Sequence, residues 1–508
     1  MKKILYSMCL AGAMLTSCTD WLDITPENTV IEQDLFKEAS GFQNALNGVY
    51  ESMSANALYG TELTFGLVDV LGQVYALKGV NGENYAGIQS YHYYFQAGQF
   101  QYDANEDVKG FIGGIWENGY KAIANCNNII KNIENLPAEK FMYGELERNM
   151  IKGEALAARA LLHFDILRLF APSLKADDGK LYIPYVTDFP YYGGQTALSV
   201  QATMEKIEAD LLQAKDLVMA YDTSDLVHRY LLASNMRFSP AQSVGTMEDG
   251  SEIAMNPFYF FRGYRLSGMA VEAMLARMYS WWGGDKMKLA ATYAKNVTEF
   301  TVTADSLLAL GYTSKNLDYD RKFTNDLIFC LSAPKLQEDY KGTYGASTSN
   351  SYLVLGQFKN VWNYDLADGG DYRLKLIQQT KWDGNMPLKN IRPDGDKDVI
   401  KHTEDMVPMI RLSEMHLIQA EYYASIGDFA NAAKMITEVR VGRNCKGDVD
   451  LGIRDMETFK SCLLGEVRRE FFQEGQTFYF YKKYGEPLVK NMTPDSFVIP
   501  KPESENIN

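Results

Sequence analysis

Residues 413–442 read SEMHLIQAEYYASIGDFANAAKMITEVRVG, and this stretch decides the fold. Ala420 is followed by Tyr423 three positions on, Gly427 four after that and Ala432 five further on. Phe429, Ala432, Ala433, Ile436 and Val439 recur at the spacing that lines one face of a helix. Asp428 stands where it caps that helix. The stretch therefore predicts two helices joined by a tight turn. A small residue on each lets their axes approach closely, while the tyrosine fills the groove between them.

Small residue, aromatic, turn glycine and small residue is the order of a tetratricopeptide unit. Residues 270–299 repeat it with Ala276, Tyr279 and Gly283, then Ala290 or Ala291 displaced by two or three positions. Two looser pairs follow from apolar stripes: 154–171, through Ala157, Ala160, Phe164, Leu167 and Ala171, with 203–219, and 40–54 with 114–135. Four pairs exceed the roughly three that a self-supporting stack needs. The fold class predicted is mainly α: a tetratricopeptide-like helical repeat scaffold, with long irregular loops and minor β-hairpins forming a ligand face. The irregular stretches are 56–112, 172–200, 223–265 and 310–408. Loops of that length are uncommon without a function, and a repeat scaffold is chiefly a binding surface. No Ser- or Pro-rich linker divides the chain, so residues 18–508 are read as a single domain.

The start of the chain sets the compartment. Lys2 and Lys3, the apolar stretch Ile4 to Met14 and then Leu15-Thr16-Ser17-Cys18 form an export signal over residues 1–17 that ends in a lipobox. Cys18 is the expected lipidation site. Loss of Lys2 and Lys3 moves the formal charge from −15 to −17. Such an acidic chain is repelled by phosphate backbones and anionic headgroups, which argues against nucleic acid and leaves membrane tethering to the lipid.

Cys126, Cys330, Cys445 and Cys462 remain, without metal spacing. Cys445 and Cys462 lie close enough in sequence to pair, although scattered cysteines in so long a chain are more often buried thiols. Asp394-Gly395-Asp396-Lys397-Asp398 suggests calcium, but Val399 and Asp405 stand where an EF-hand needs Gly and Glu, so a polar turn is expected and no metal. The five histidines are isolated, and no nucleophile-elbow, Walker or dinucleotide motif occurs. Glu466, Arg468, Arg469, Glu470 and Glu474 form a charge run with a structural role, Glu466 pairing with Arg469.

Matches spread along the whole chain resemble one family. Asp20-Trp21-Leu22-Asp23-Ile24-Thr25-Pro26 after the cysteine is similar to the mature start of SusD/RagB nutrient-uptake lipoproteins. Trp116, Tyr120, Ile123 and Asn127, and Arg159 with Phe164 and Arg168, resemble its first repeat helices. Ile410-Arg411-Leu412-Ser413-Glu414-Met415, Arg468-Arg469-Glu470-Phe471 with Glu474-Gly475, and Val498-Ile499-Pro500 resemble its later blocks. The resemblance implies four tetratricopeptide-like units, a variable loop face that binds ligand, and display on the outer-membrane surface. It also implies a partner, a SusC-like TonB-dependent transporter, toward which the repeats would face. No catalysis and no cofactor are implied.

A sugar presents apolar C–H faces and a rim of hydroxyls, so its site needs exposed rings and amide or carboxylate groups. Tyr75, Asn81, Asn84, Tyr85, Gln89, Tyr91, His92, Tyr93, Tyr94 and Phe95 supply both kinds. The family's use of this region favours Tyr75, Asn81, Tyr85 and Tyr91, with Trp362 from the second irregular region and Trp382, Tyr340 and Tyr344 behind it. The plainer reading places Tyr91, Tyr93 and Phe95 inward on a β-hairpin. A glycan ligand is expected, with a peptide as the alternative and a surface glycoside hydrolase or a ligand-free assembly factor as readings of other classes.

Overall fold

The computed structural model describes residues 34–80, 87–190, 196–225, 231–232, 237–238, 257–300, 310, 316–344, 353–362, 370–379 and 384–506. The export signal, Cys18 and the stretch Asp20–Pro26 lie outside the described residues.

Fourteen α-helices are described: α1 (Ala39–Met53), α2 (Leu67–Leu71), α3 (Tyr93–Gly98), α4 (Glu106–Asn132), α5 (Gly144–Phe170), α6 (Val200–Asp222) and α7 (Gly268–Trp282), then α8 (Met287–Thr298), α9 (Leu336–Tyr344), α10 (Asp398–Thr403), α11 (Leu412–Ser425), α12 (Phe429–Gly442), α13 (Met456–Glu470) and α14 (Thr477–Tyr484). Among them α1 packs on α4, α5 on α6, α7 on α8 and α11 on α12, and successive pairs stack through α4 on α5, α6 on α7 and α8 on α11. The fold is mainly helical with two small antiparallel sheets. β1 (Leu327–Ser332) pairs with β4 (Met406–Arg411), and β2 (Ile377–Gln379) with β3 (Asn385–Pro387). No described helix is long and apolar enough to cross a membrane.

The spacing of small residues explains the pairing. Ala420 and Ala432 are both fully buried where α11 meets α12, and Gly427 turns the chain between them at φ +79°. Asp428 accepts the backbone N–H of Asn431 at 3.1 Å and so caps α12. Gly153 serves the second pair in the same way, since a Cβ there would stand 2.6 Å from Val218 Cγ2 and 3.1 Å from the Ala214 carbonyl oxygen.

α5 departs from a single apolar stripe. Every residue from Gly153 to Phe170 is buried, because α4, α6, α1 and α7 all pack on it. Its polar side chains are therefore satisfied inside the protein. Arg159 grips Asp210 of α6 with two 2.7 Å hydrogen bonds and reaches Asn127 of α4 at 2.9 Å. His163 accepts the Val186 N–H at 3.0 Å and donates to the Arg159 carbonyl at 2.9 Å, and burial pushes its pKa down to about 3, so the ring stays neutral. Lys482 of α14 donates to the Arg168 and Leu169 carbonyls at 2.5 and 3.4 Å, covering the C-terminal end of α5.

The charge run on α13 is not a solvated face. Glu466 and Glu470 are fully buried among Arg373, Arg411, Arg440 and Arg443, with Arg373 Nη1 2.5 Å from Glu466 and Arg443 Nη2 2.6 Å from Glu470. Asp326 pairs with Arg411 and Arg443, Asp371 with Arg373, and Lys389 with Glu474 at 2.6 Å. The expected Glu466–Arg469 pair is present at 2.8 Å. These ion pairs fasten segments 370–376 and 326–332 to the last helices. The four described cysteines are free thiols, so Cys445 and Cys462 form no disulfide.

Candidate functional site

Residues 74–78 pair with 354–356 on one side and with Ile88 on the other through short backbone hydrogen bonds. Ala76 N donates to Val354 O at 2.9 Å, Gly356 N to Val74 O at 2.8 Å, and Ile88 N to Ala76 O at 2.9 Å. Gly87 makes the last pairing possible: it adopts φ +128°, and a Cβ would stand 2.4 Å from the Ala76 oxygen.

Beyond this clamp the chain turns into α3, not into a hairpin. The alternation of Tyr91, Tyr93 and Phe95 is overridden because His92 Nδ1 accepts the Tyr94 N–H at 3.1 Å and caps a helix. On that helix Tyr94 points inward, fully buried, and its hydroxyl donates to Glu62 at 2.9 Å. Tyr93 stacks on His92 with ring centroids 4.4 Å apart and lies 4.8 Å from Phe111. Tyr91, one residue before the cap, is 76% exposed and is the one ring among the large apolar side chains exposed in the described residues. Glu62 lies behind the cluster, where burial pushes its carboxyl up to about 7 against the opposing hydrogen bonds from Tyr94 and from Leu67 N. At the far end of α3, Phe100, Gln101, Tyr102 and Asp103 face Thr493, Asp495 and Ser496 across an open cleft of about 590 Å³.

The other residues singled out from sequence fall elsewhere. Tyr75 is 3% exposed, with its hydroxyl donating to Phe65 O at 2.8 Å, so it is a core residue and presents no ring to ligand. Trp362 is 2% exposed, packed edge-on against Phe472 at 6.3 Å, and is likewise core. Tyr340 is buried and accepts from Gln473 at 2.8 Å. Asn81, Tyr85 and Trp382 lie outside the described residues. Sequence reasoning missed Glu62, Gln101, Asp103 and Asp495. Gln101 and Asp103 follow the aromatic run closely enough for it to have signalled them, whereas Glu62 and Asp495 are brought in by tertiary contact alone. Among the described residues no group of three or more His, Cys, Asp or Glu side chains is arranged to hold a metal ion.

A stack of four helix pairs carrying an aromatic loop cluster defines a repeat-scaffold binding protein. Family models extend the definition: residues 20–230 match one described as "Starch-binding associating with outer membrane", and residues 339–491 match the SusD family. The chain belongs to the SusD/RagB family, and so to a class of binding proteins and not of enzymes. A curated relative, the SusD-like protein P2 of Formosa agariphila, is 26% identical over 221 residues, which cover 42% of this chain and 38% of that protein. The match thus spans well under half of the relative's length.

Solved structures agree on the fold. A SusD superfamily protein from Bacteroides thetaiotaomicron superposes with TM-score 0.66 at 20% identity, covering 92% of this chain and 97% of its own. A SusD-like carbohydrate binding protein from Bacteroides vulgatus gives TM-score 0.62 at 18% identity over 90% and 85%. A laminarin binding SusD-like protein gives 0.61 at 15% identity over 93% and 98%.

Proposed function

We propose that this protein is a cell-surface lipoprotein, anchored through Cys18, that captures a glycan and hands it to a SusC-like TonB-dependent transporter. The observation that carries the reading is Tyr91, an aromatic ring 76% exposed on a loop whose backbone is clamped on both sides. An exposed ring on a rigid support offers a stacking surface at little entropic cost. The starch description of the matching family model and the laminarin binding of a structural relative favour sugar as the ligand. In this arrangement the loop face takes the glycan and the repeats face the transporter.

The test is a glycan and peptide array probed with the chain from Thr19 onward, followed by calorimetry on each hit. One polysaccharide class bound and recovered without new reducing ends supports capture. Hits confined to peptides would replace the sugar by a peptide ligand. Tyr91→Ala is expected to weaken binding by roughly 5- to 150-fold, the value of one lost ring stack of about 1–3 kcal/mol, with an unchanged melting temperature. Co-purification with a SusC-like transporter tests the partnership separately.

A further inference from the structure

A second cleft, remote in sequence from Tyr91, has the chemistry of a sugar subsite. Asn47, Tyr50, Glu51 and Ser54 follow one another at 3, 1 and 3 positions along α1 and its C-cap, and so share a face. Opposite them stand Phe258, Phe260, Phe261, Tyr264 and Arg265, with Ser332 at the end of β1, around a volume of about 420 Å³. That volume lies within the range of roughly 300–1,000 Å³ usual for ligand clefts.

The wall of the cleft is preorganised. Arg262 pairs with Glu154 at 2.6 Å and with Asp222 at 2.8 Å beneath the loop. Arg265 pairs with Glu154 at 3.0 Å, donates to Asn47 Oδ1 at 3.2 Å and lies 4.2 Å over the Phe258 ring. Tyr50 donates to Glu154 at 2.6 Å and accepts from Leu266 N at 2.8 Å.

Phe261 opens the short turn that carries Arg262 and Arg265 to Glu154, its carbonyl accepting the Tyr264 N–H at 2.8 Å. Its φ of +57° lies in the left-handed region, costly for a residue with a side chain. Phe323 shares that conformation at φ +56°, but its ring lies 4.5 Å from Arg443 and 5.2 Å from Arg411 in the buried ion cluster. The Phe261 ring takes no part in that cluster: it is half-buried at the cleft, edge-on to Tyr264 at 6.2 Å. The turn leaves the Phe261 ring lining the cleft.

We infer that this cleft binds a neutral pyranose unit of a glycan at a subsite separate from Tyr91. The inference rests on the carbohydrate reading above. Phe261 and Tyr264 supply apolar faces for ring C–H groups. The carboxylate of Glu51 is exposed and accepts no hydrogen bond among the described residues, and Asn47 Nδ2 makes none there, so an acceptor and a donor stand ready for hydroxyls. An acyl chain would desolvate these groups without return. Glu51 repels uronate or phosphate, because the positive charge of Arg265 is already taken by Glu154.

The experiment is affinity gel electrophoresis of the mature chain on laminarin, amylopectin and polygalacturonate, with Tyr91→Ala alone and combined with Phe261→Gly or Glu51→Ala. Glycine relieves the backbone strain at position 261, and Glu51 is exposed, so neither change removes core packing; melting curves check both. The expected result is residual binding of a neutral glucan by the Tyr91→Ala protein, weakened roughly fivefold or more by either cleft variant. Complete loss of binding in Tyr91→Ala, or residual binding that both cleft variants leave unchanged, overturns the subsite while the carbohydrate reading stands. Polygalacturonate bound through Phe261 overturns the neutral assignment. No retention of the unmodified chain by any of the three overturns the carbohydrate reading and this inference together.

Discussion

At the scale of single residues, charge placed out of reach of water does the most. Glu62 is an instructive case, since burial raises its carboxyl to about 7 from 4.5. A raised acid binds its proton more tightly in the folded state, so its contribution is fully present below about pH 4.5 and is lost as pH rises through about 7. Glu62→Gln is therefore expected to flatten the fall in melting temperature between those pH values, read by a thermal scan at each pH. Glu466 has the opposite sign. Its carboxyl is held down to about 2, chiefly by Arg373, Arg469 and Arg440 acting against desolvation, and Glu470 also lies well below its ordinary value. Stability from Glu466 is present above about pH 4.5 and is lost as pH falls toward about 2. Circular dichroism against pH should show acid unfolding in that window. Glu470→Ala leaves Arg411 and Arg443 facing each other without their shared carboxylate, a loss of about 3–5 kcal/mol in chemical denaturation.

At the scale of elements, small residues set helix spacing and caps set helix starts. Gly153→Ala gains helix propensity, yet the added methyl meets Val218 and the Ala214 carbonyl, so α5 and α6 must part; a net loss of about 1–2 kcal/mol is expected. Ser267 is buried and accepts the Ala270 N–H at 3.3 Å at the start of α7, and Ser267→Ala is expected to cost about 1 kcal/mol, measured by the same denaturation. The helix pairs were legible because such spacing is local: Ala420, Tyr423, Gly427 and Ala432 lie within one unit. α3 was not, since Tyr91, Tyr93 and Phe95 alternate like a strand and only the His92 cap shows otherwise. Tyr75 and Trp362 misled for a related reason. A ring in a polar, glycine-rich stretch looks the same in sequence whether it faces solvent or fills the space under that stretch.

At the scale of the whole molecule, the joints are ionic and remote in sequence. Arg411 meets Glu470 across 59 residues, and Arg443 meets Asp326 across 117. No periodicity announces such partners, so the sequence showed a structural role and the local Glu466–Arg469 pair on α13 but not the distant arginines. The lock of Lys482 on the end of α5 spans 314 residues, and Ile499 N closes a similar circuit by donating to Leu169 O at 3.1 Å. The second repeat is thus finished by residues more than 300 positions downstream of it. Loops this large close slowly, so α5 is expected to stay incomplete and protease-sensitive until Lys482 and Ile499 have docked on its end. Removal of residues from 477 onward should accordingly be felt most at α5, more than 300 positions upstream.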